Sequence, residues 1–284
     1  MSSMTQESSR PAPRILRPRW ATAPVIAGGF IVLAWVFVLI FVDWLAPYDP
    51  TKLAGMRFSE PSAAHWLGTD ALGRDVFSRT LYGVRQSLPI ALVVICCAVA
   101  IGCLLGAIAG FIGGLIDEAI MRLVDVTLSF PAILLAMAVT ASLGPGLRNA
   151  AIAMVIVWWP IYARLMRAQV LSIRESEHVE AAVAAGAPPS RVLFKHILPL
   201  SWSPIIVNAT MDFGQIVLLA ASLSFIGLGA VPPTPEWGQM ISEGALHFYR
   251  WWIAAGPGLA ILSIVMGFNF LGDGLRDILD VRSR

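Results

Sequence analysis

The chain carries very little charge for its length. Only 13% of its 284 residues are Asp, Glu, Lys or Arg, whereas soluble domains carry about 25%. Apolar residues make up 57% of the chain, and the net charge is only +2. The composition therefore predicts an integral membrane protein, and the small net charge gives no reason to expect binding to nucleic acid.

Several chemical signatures are also missing. No Gly-x-x-x-x-Gly-Lys-Ser/Thr segment occurs, so any ATP that drives this protein is expected to be hydrolysed by another chain. The four histidines are scattered and His-Glu-x-x-His is absent, which argues against a zinc-dependent intramembrane enzyme. Cys96, Cys97 and Cys103 lack a metal-ligand spacing and are expected to be free thiols packed among helices. We predict no catalytic residue, no metal site and no cofactor bound by this chain.

Long apolar runs predict an all-α fold with about six transmembrane helices, since a span needs roughly 20 apolar residues. The runs are approximately Ala21–Val42, Leu88–Ile112, Ala119–Leu143, Ala150–Ile173, Ser201–Ile226 and Ile253–Gly272. The third is the least regular, because Arg122 and Asp125 lie near its start. The chain then divides into a disordered tail (1–20), a first helix (21–42), a loop (43–87) and a membrane core (88–284).

The distribution of positive charge predicts the orientation. Four arginines lie between Arg10 and Arg19, before the first span, and this favours a cytoplasmic N-terminus. Six crossings would return the C-terminus to the same side. The loop 43–87 would then be extracytoplasmic, and the loop 174–200 would be cytoplasmic.

The cytoplasmic loop has an unusual composition between Glu180 and Pro199. It begins with a run of alanines, which form helix readily and have little bulk. Gly186 suits a left-handed C-terminal cap, and Pro188 prevents the helix from continuing. We expect Ser190 to cap the next helical segment and Pro199 to end it. The pattern predicts a thin helix that can enter a cleft on a partner.

This loop resembles the one by which permease subunits of binding-protein-dependent ATP-binding-cassette (ABC) importers dock onto their ATPases. In that family a Glu-Ala-Ala triplet is followed four residues later by Gly, and the loop ends with Ile-Leu-Pro. The matching positions are Glu180, Ala181, Ala182, Gly186, Ile197, Leu198 and Pro199. The resemblance implies a type I ABC importer permease fold. It also implies an ATPase-docking surface formed by Glu180, Ala181, Ala182, Ala185, Gly186, Ala187 and Arg191.

Three further stretches narrow the resemblance. Residues 65–88, 223–238 and 251–280 are similar to signatures of the C-type permease subunit in the dipeptide, oligopeptide and nickel class. The resemblance implies import of dipeptides or short oligopeptides, with nickel chelates, glutathione or haem as alternative substrates. A more distant alternative is an ion-coupled secondary transporter. It is disfavoured because Asp212 is the only deep acid and no internal repeat is evident.

The resemblance also implies partners and a location. The expected partners are a second, B-type permease subunit, two ATPase subunits or one fused ATPase, and an extracytoplasmic solute-binding protein. ATP and Mg would be bound by the ATPase subunits, and this chain would perform no covalent chemistry. We expect a multi-pass protein in the lipid bilayer of the bacterial cell (inner) membrane.

The fifth apolar run contains a row of polar residues. Asn208, Asp212, Gln215 and Ser222 are spaced to share one helical face. An acid within a span is costly and suggests function, so this face could line a hydrated translocation path. It could equally be an interhelical hydrogen-bond cluster that fixes packing. The class often has Glu where this chain has Ala220, and we expect that position to face the path.

Three glycines in the second apolar run predict close helix packing. Gly102, Gly106 and Gly110 recur every four residues and therefore share one helical face. A face without side chains lets a neighbouring helix approach closely, which favours association in lipid.

Overall fold

The computed structural model describes residues 23–280, and the expectation for the tail 1–20 lies outside them. Its helices are α1 (Ala23–Leu45), α2 (Val76–Ile112), α3 (Gly114–Leu128), α4 (Ala132–Leu143), α5 (Leu147–Arg174), α6 (Glu177–Ala184), α7 (Pro189–Arg191), α8 (Leu198–Phe225), α9 (Trp237–Ala245) and α10 (Trp252–Asp280). A π-helical turn, Val192–Ile197, joins α7 to α8.

The described helices confirm the all-α membrane architecture with some changes of boundary. Five helices are long and apolar enough to cross a membrane, and α3 with α4 makes a sixth if the bent pair is one span. The third predicted run, Ala119–Leu143, is not a single helix, because α3 and α4 meet at 91°. Pro131 lies at the break, directly before α4, where its ring prevents an unbroken helix.

The helix α2 begins at Val76 rather than at Leu88, so residues 76–87 are helical and not part of the preceding loop. The carboxylate of Asp75 caps its first turn by accepting the backbone N–H of Ser78 at 2.8 Å. With 37 residues, α2 is about 55 Å long. It therefore spans the bundle, from the residues after α1 to the region of α6.

The glycine face of α2 packs directly against the backbone of α5. A Cβ atom added to Gly102 would lie 2.4 Å from the carbonyl oxygen of Trp159. One added to Gly106 would lie 2.2 Å from that of Ala163. Both distances are far below van der Waals contact, which confirms the predicted close approach.

Replacing Gly106 with alanine is expected to destabilise the bundle by about 1–3 kcal/mol, because the added methyl group must push α5 away. Gly258 on α10 provides a matched control, since a Cβ atom added there would have no atom within 4 Å. Gly258→Ala should be neutral or slightly stabilising in the helix. Thermal unfolding of the detergent-purified variants measures both effects, and equal midpoints would contradict the packing argument.

Residues 46–75 and α9 form a cap over the end of the bundle where α2 begins. A buried ionic cluster joins the two parts. The Nε of Arg74 lies 2.6 Å from Oδ2 of Asp70, and the Nε of Arg79 lies 3.4 Å from the same oxygen. Glu243 of α9 lies 3.3 Å from Nη2 of Arg74. Asp70 and Arg79 are each only 1% exposed, so the cluster joins residues 46–75 to both α2 and α9.

The start of α9 is built on a buried carboxylate. Glu236 accepts the backbone N–H groups of Gly238 and Gln239 at 3.0 Å each. It also accepts the hydroxyl of Ser87, on α2, at 3.4 Å. Burial raises the pKa of the Glu236 carboxyl above its usual value. This residue therefore anchors α9 against α2.

Candidate functional site

The helix α6 lies at the opposite end of the bundle from the cap and is held by few contacts. Among its eight residues only Val179 is buried, at 2% exposure, whereas Val183 is 58% exposed. The rest of its surface is formed mainly by alanines and glutamates. The loop thus presents a thin, exposed helix, as its composition predicts.

A glycine cap ends α6. Gly186 has φ of +80°, a conformation that favours glycine. The N–H of Ala187 donates to the carbonyl of Ala182 at 3.1 Å, and that of Gly186 donates to Val183 at 2.9 Å. These two bonds make a Schellman cap, which confirms the prediction for Gly186.

The return segment differs from the sequence-based expectation. The helix α7 begins at Pro189 after Pro188, and no side chain caps it, so the capping role expected of Ser190 is wrong. Pro199 does not end the segment either, because it lies in the first turn of α8. Helical structure continues from Pro189 to Phe225.

The π turn accommodates this continuity. The N–H of Leu198 donates to the carbonyl of Leu193, five residues earlier. Pro199 has no N–H to continue the α-helical pattern, and π turns of this kind commonly mark functional sites. The short helix α7, the π turn and the membrane-spanning α8 therefore form one continuous helical rod.

The residues predicted for docking lie together on this loop. Glu180, Ala181, Ala185, Gly186 and Arg191 are exposed, and Ala182 and Ala187 are half-buried. The base of the loop is tied to a second helix. Nη1 of Arg174, the last residue of α5, donates to the carbonyl of Phe111 near the end of α2 at 3.1 Å. A force on the loop would therefore reach α2 as well as α5 and α8.

The four polar residues of α8 do not form one cluster. Nδ2 of Asn208 donates to the Pro204 carbonyl at 2.8 Å, and Gln215 is exposed. The hydroxyl of Ser222 donates to the Leu218 carbonyl at 2.8 Å. These contacts lie within α8 itself, so a shared polar network along this face is not formed.

Asp212 instead contacts a neighbouring helix. It accepts the hydroxyl of Tyr162, on α5, at 2.7 Å. Tyr162 is fully buried, and Trp158, also buried, lies one turn before it on α5. Tyr162 was not predicted from the sequence, because no local pattern marks a partner fifty residues away.

Ala220 does not face an open path. It is only 6% exposed and belongs to the main hydrophobic core, so the expectation for this position is wrong. The three cysteines are free, but only Cys103 is buried, whereas Cys96 and Cys97 are exposed on α2. Among the described residues, no group of His, Cys, Asp or Glu could hold a metal ion.

Two ion pairs near the docking loop join α3 to α5. Nη2 of Arg167 lies 2.6 Å from Oδ2 of Asp117, and Arg164 pairs with Asp125. Of the two charges that made the third run irregular, Asp125 makes a contact between helices, whereas Arg122 pairs with Glu118 within α3. Asp117 lies in the first turn of α3, so the two ion pairs hold both ends of this helix to α5.

Comparison with known proteins identifies relatives over most of the chain. Residues 102–284 match the profile of the family described as "Binding-protein-dependent transport system inner membrane component". The chain is 45% identical over 260 residues to the probable D,D-dipeptide transport system permease protein DdpC of Escherichia coli (strain K12), covering 91% of this chain and 87% of that protein.

Two further relatives show similar agreement. The dipeptide transport system permease protein DppC of Alkalihalophilus pseudofirmus is 46% identical over 262 residues, which cover 91% of this chain and 86% of the relative. The glutathione transport system permease protein GsiD of Pectobacterium atrosepticum is 44% identical over 263 residues, which cover 90% and 86%.

Proposed function

The chain belongs to the family of binding-protein-dependent transport system inner membrane components, and we propose on that premise that it is the permease subunit of an ATP-driven importer of dipeptides or short oligopeptides. The observation that carries the mechanism is the docking loop. An exposed, alanine-rich α6 is capped at Gly186. After Ala187 and Pro188 the chain continues as one helical segment from Pro189 through the span α8.

In the proposed mechanism, closure of the ATPase subunits pushes on α6. The rod from Pro189 to Phe225 carries the displacement into the membrane core. The contact of Arg174 with Phe111 carries part of it to α2. This chain supplies a lever and half of the path, whereas ATP and Mg are bound by the ATPase subunits.

The names of the relatives support a short-peptide substrate. They specify D,D-dipeptides, dipeptides and glutathione, and glutathione is itself a tripeptide. These compounds share amide bonds, charged ends and small size. Nickel chelates and haem remain alternative substrates of the same architecture.

The proposed assembly contains a second permease, two ATPase domains and an extracytoplasmic binding protein. Gln215 and Ser222 are the proposed path residues with a free surface on α8. The contact between Asp212 and Tyr162 favours a packing role for Asp212 within the same face. Asn208, held by its own helix, would lie at the end of the proposed path nearest the docking loop.

The proposal is tested by reconstituting the complete complex in proteoliposomes and measuring ATP hydrolysis with its binding protein. We expect di- and tripeptides to stimulate hydrolysis and to accumulate inside, and dissipating the proton gradient should leave uptake unchanged. The binding protein without peptide is the control. Stimulation only by a metal chelate or haem would replace the substrate, and uptake that follows the ion gradient would overturn the ATP-driven mechanism.

A further inference from the structure

A groove of about 610 Å³ lies beside the docking helix. One side is formed by Phe111 and Arg174, at the ends of α2 and α5, and the other by Val183 and Ala184 of α6. Pro189 and Val192, from the segment that follows α6, complete the lining of the groove. Its volume is within the range of pockets that bind ligands or anchor side chains.

The docking helix by itself is a poor anchor for a partner protein. It has eight residues, and a stable interface buries about 800 Å² on each partner. Binding energy at interfaces is concentrated in large side chains, above all aromatic residues and arginine, that fill pockets on the other protein. The alanines of α6 offer no such side chain. Arg191 is the arginine among the predicted docking residues and lies outside α6. We therefore expect the partner to contribute an anchor of its own, which needs a pocket on this chain.

The groove has the position and chemistry for that anchor. Glu180, Val183 and Ala184 line the groove and also belong to the docking helix, so a partner that covers the helix also covers the mouth of the groove. The other walls are mostly aliphatic or aromatic. Arg174 is the cation of the lining, and its Nη1 is engaged by the Phe111 carbonyl.

We propose that the ATPase subunit inserts a large apolar side chain, aromatic or long aliphatic, into this groove. The interface is then reciprocal: α6 enters a cleft on the ATPase, and the ATPase enters the groove behind α6. This inference rests on the proposed function. It adds Phe111, which lies on a different helix from the docking loop, to the contact surface.

Site-directed photo-crosslinking in the assembled complex tests the proposal. Phe111 is replaced by the photoreactive p-benzoylphenylalanine, and the control places the same group at Leu115, which is 84% exposed but does not line the groove. We expect an adduct with the ATPase subunit from position 111 and none from position 115. Adducts only with lipid, with the second permease or with this chain itself would overturn the proposal.

A binding measurement adds a quantitative test. Phe111→Ala is expected to weaken ATPase binding by about tenfold or more, as loss of a pocket wall around an anchor does. Ile112→Ala, at an exposed neighbouring position outside the groove, should leave affinity unchanged. If both variants bound the ATPase with the same affinity as the wild type, at equal thermal stability, the proposed insertion into the groove would be wrong. An ATPase that fails to bind even the wild-type chain would instead refute the proposed function.

Discussion

Replacing Gly186 with valine is expected to reduce ATP-driven transport strongly while leaving the chain folded in the membrane. At φ of +80° a β-branched residue is strained by about 1–3 kcal/mol. No atom lies within 4 Å of the added Cβ position, so the effect arises from the backbone alone. The cap would open, and α6, held mainly by Val179, would change direction. We expect transport to fall by at least about tenfold, measured as peptide uptake into proteoliposomes.

A substitution at a second glycine serves as a control that distinguishes backbone strain from loss of docking. Gly144, in the turn between α4 and α5, has φ of +91° and also has no atom within 4 Å of an added Cβ. Gly144→Val therefore introduces the same type of strain away from the docking loop. It should lower thermal stability to a similar extent but keep ATP hydrolysis coupled to peptide. If Gly186→Val remained fully coupled, the assignment of the docking loop would be wrong.

Replacing Asp70 with asparagine is expected to give the largest loss of stability. The substitution keeps the size of the side chain but leaves the guanidinium groups of Arg74 and Arg79 with Glu243 as their only nearby carboxylate among the described residues. Breaking a buried ion pair from one side costs about 3–5 kcal/mol. For a chain of this size the midpoint of thermal unfolding should fall by roughly 10 °C.

An exposed ion pair in the same cap provides the control. Asp49 lies 3.1 Å from Nζ of Lys52, whose side chain is 79% exposed, and exposed pairs contribute little to stability. Asp49→Asn should leave the unfolding midpoint unchanged. Equal midpoints for the two variants would mean that the cluster around Asp70 does not hold the cap in place.

The docking loop was largely predictable because its signals are local. Alanines favour a thin helix wherever they occur, and Gly186 supplies a conformation that its own backbone allows. The return segment was less predictable. Pro199 is compatible both with a helix end and with a first helical turn, and only the packing of α8 decides between them.

The remaining errors concern contacts between residues distant in sequence. The start of α2 at Val76 was not predicted, because Arg79 makes the sequence of that segment look polar and exposed. The side chain is buried only because Asp70 and Glu243 approach it from other elements. The hydrogen bond of Asp212 was not predicted for the same reason, since its partner Tyr162 lies on α5. The bend before α4 was not predicted, because the average hydropathy of a long run is hardly changed by the single residue Pro131.

The continuous helix from Pro189 to Phe225 also sets a mechanical scale. Its 37 residues correspond to a length of about 55 Å. A rotation of about 5° about the docking end would displace the far end by about 5 Å, roughly the diameter of a small side chain. A small rotation at the docking-loop end would thus be geometrically amplified along α8. In the proposed mechanism, such a rotation would move the far end of α8 without any change in the hydrogen bonds of the helix.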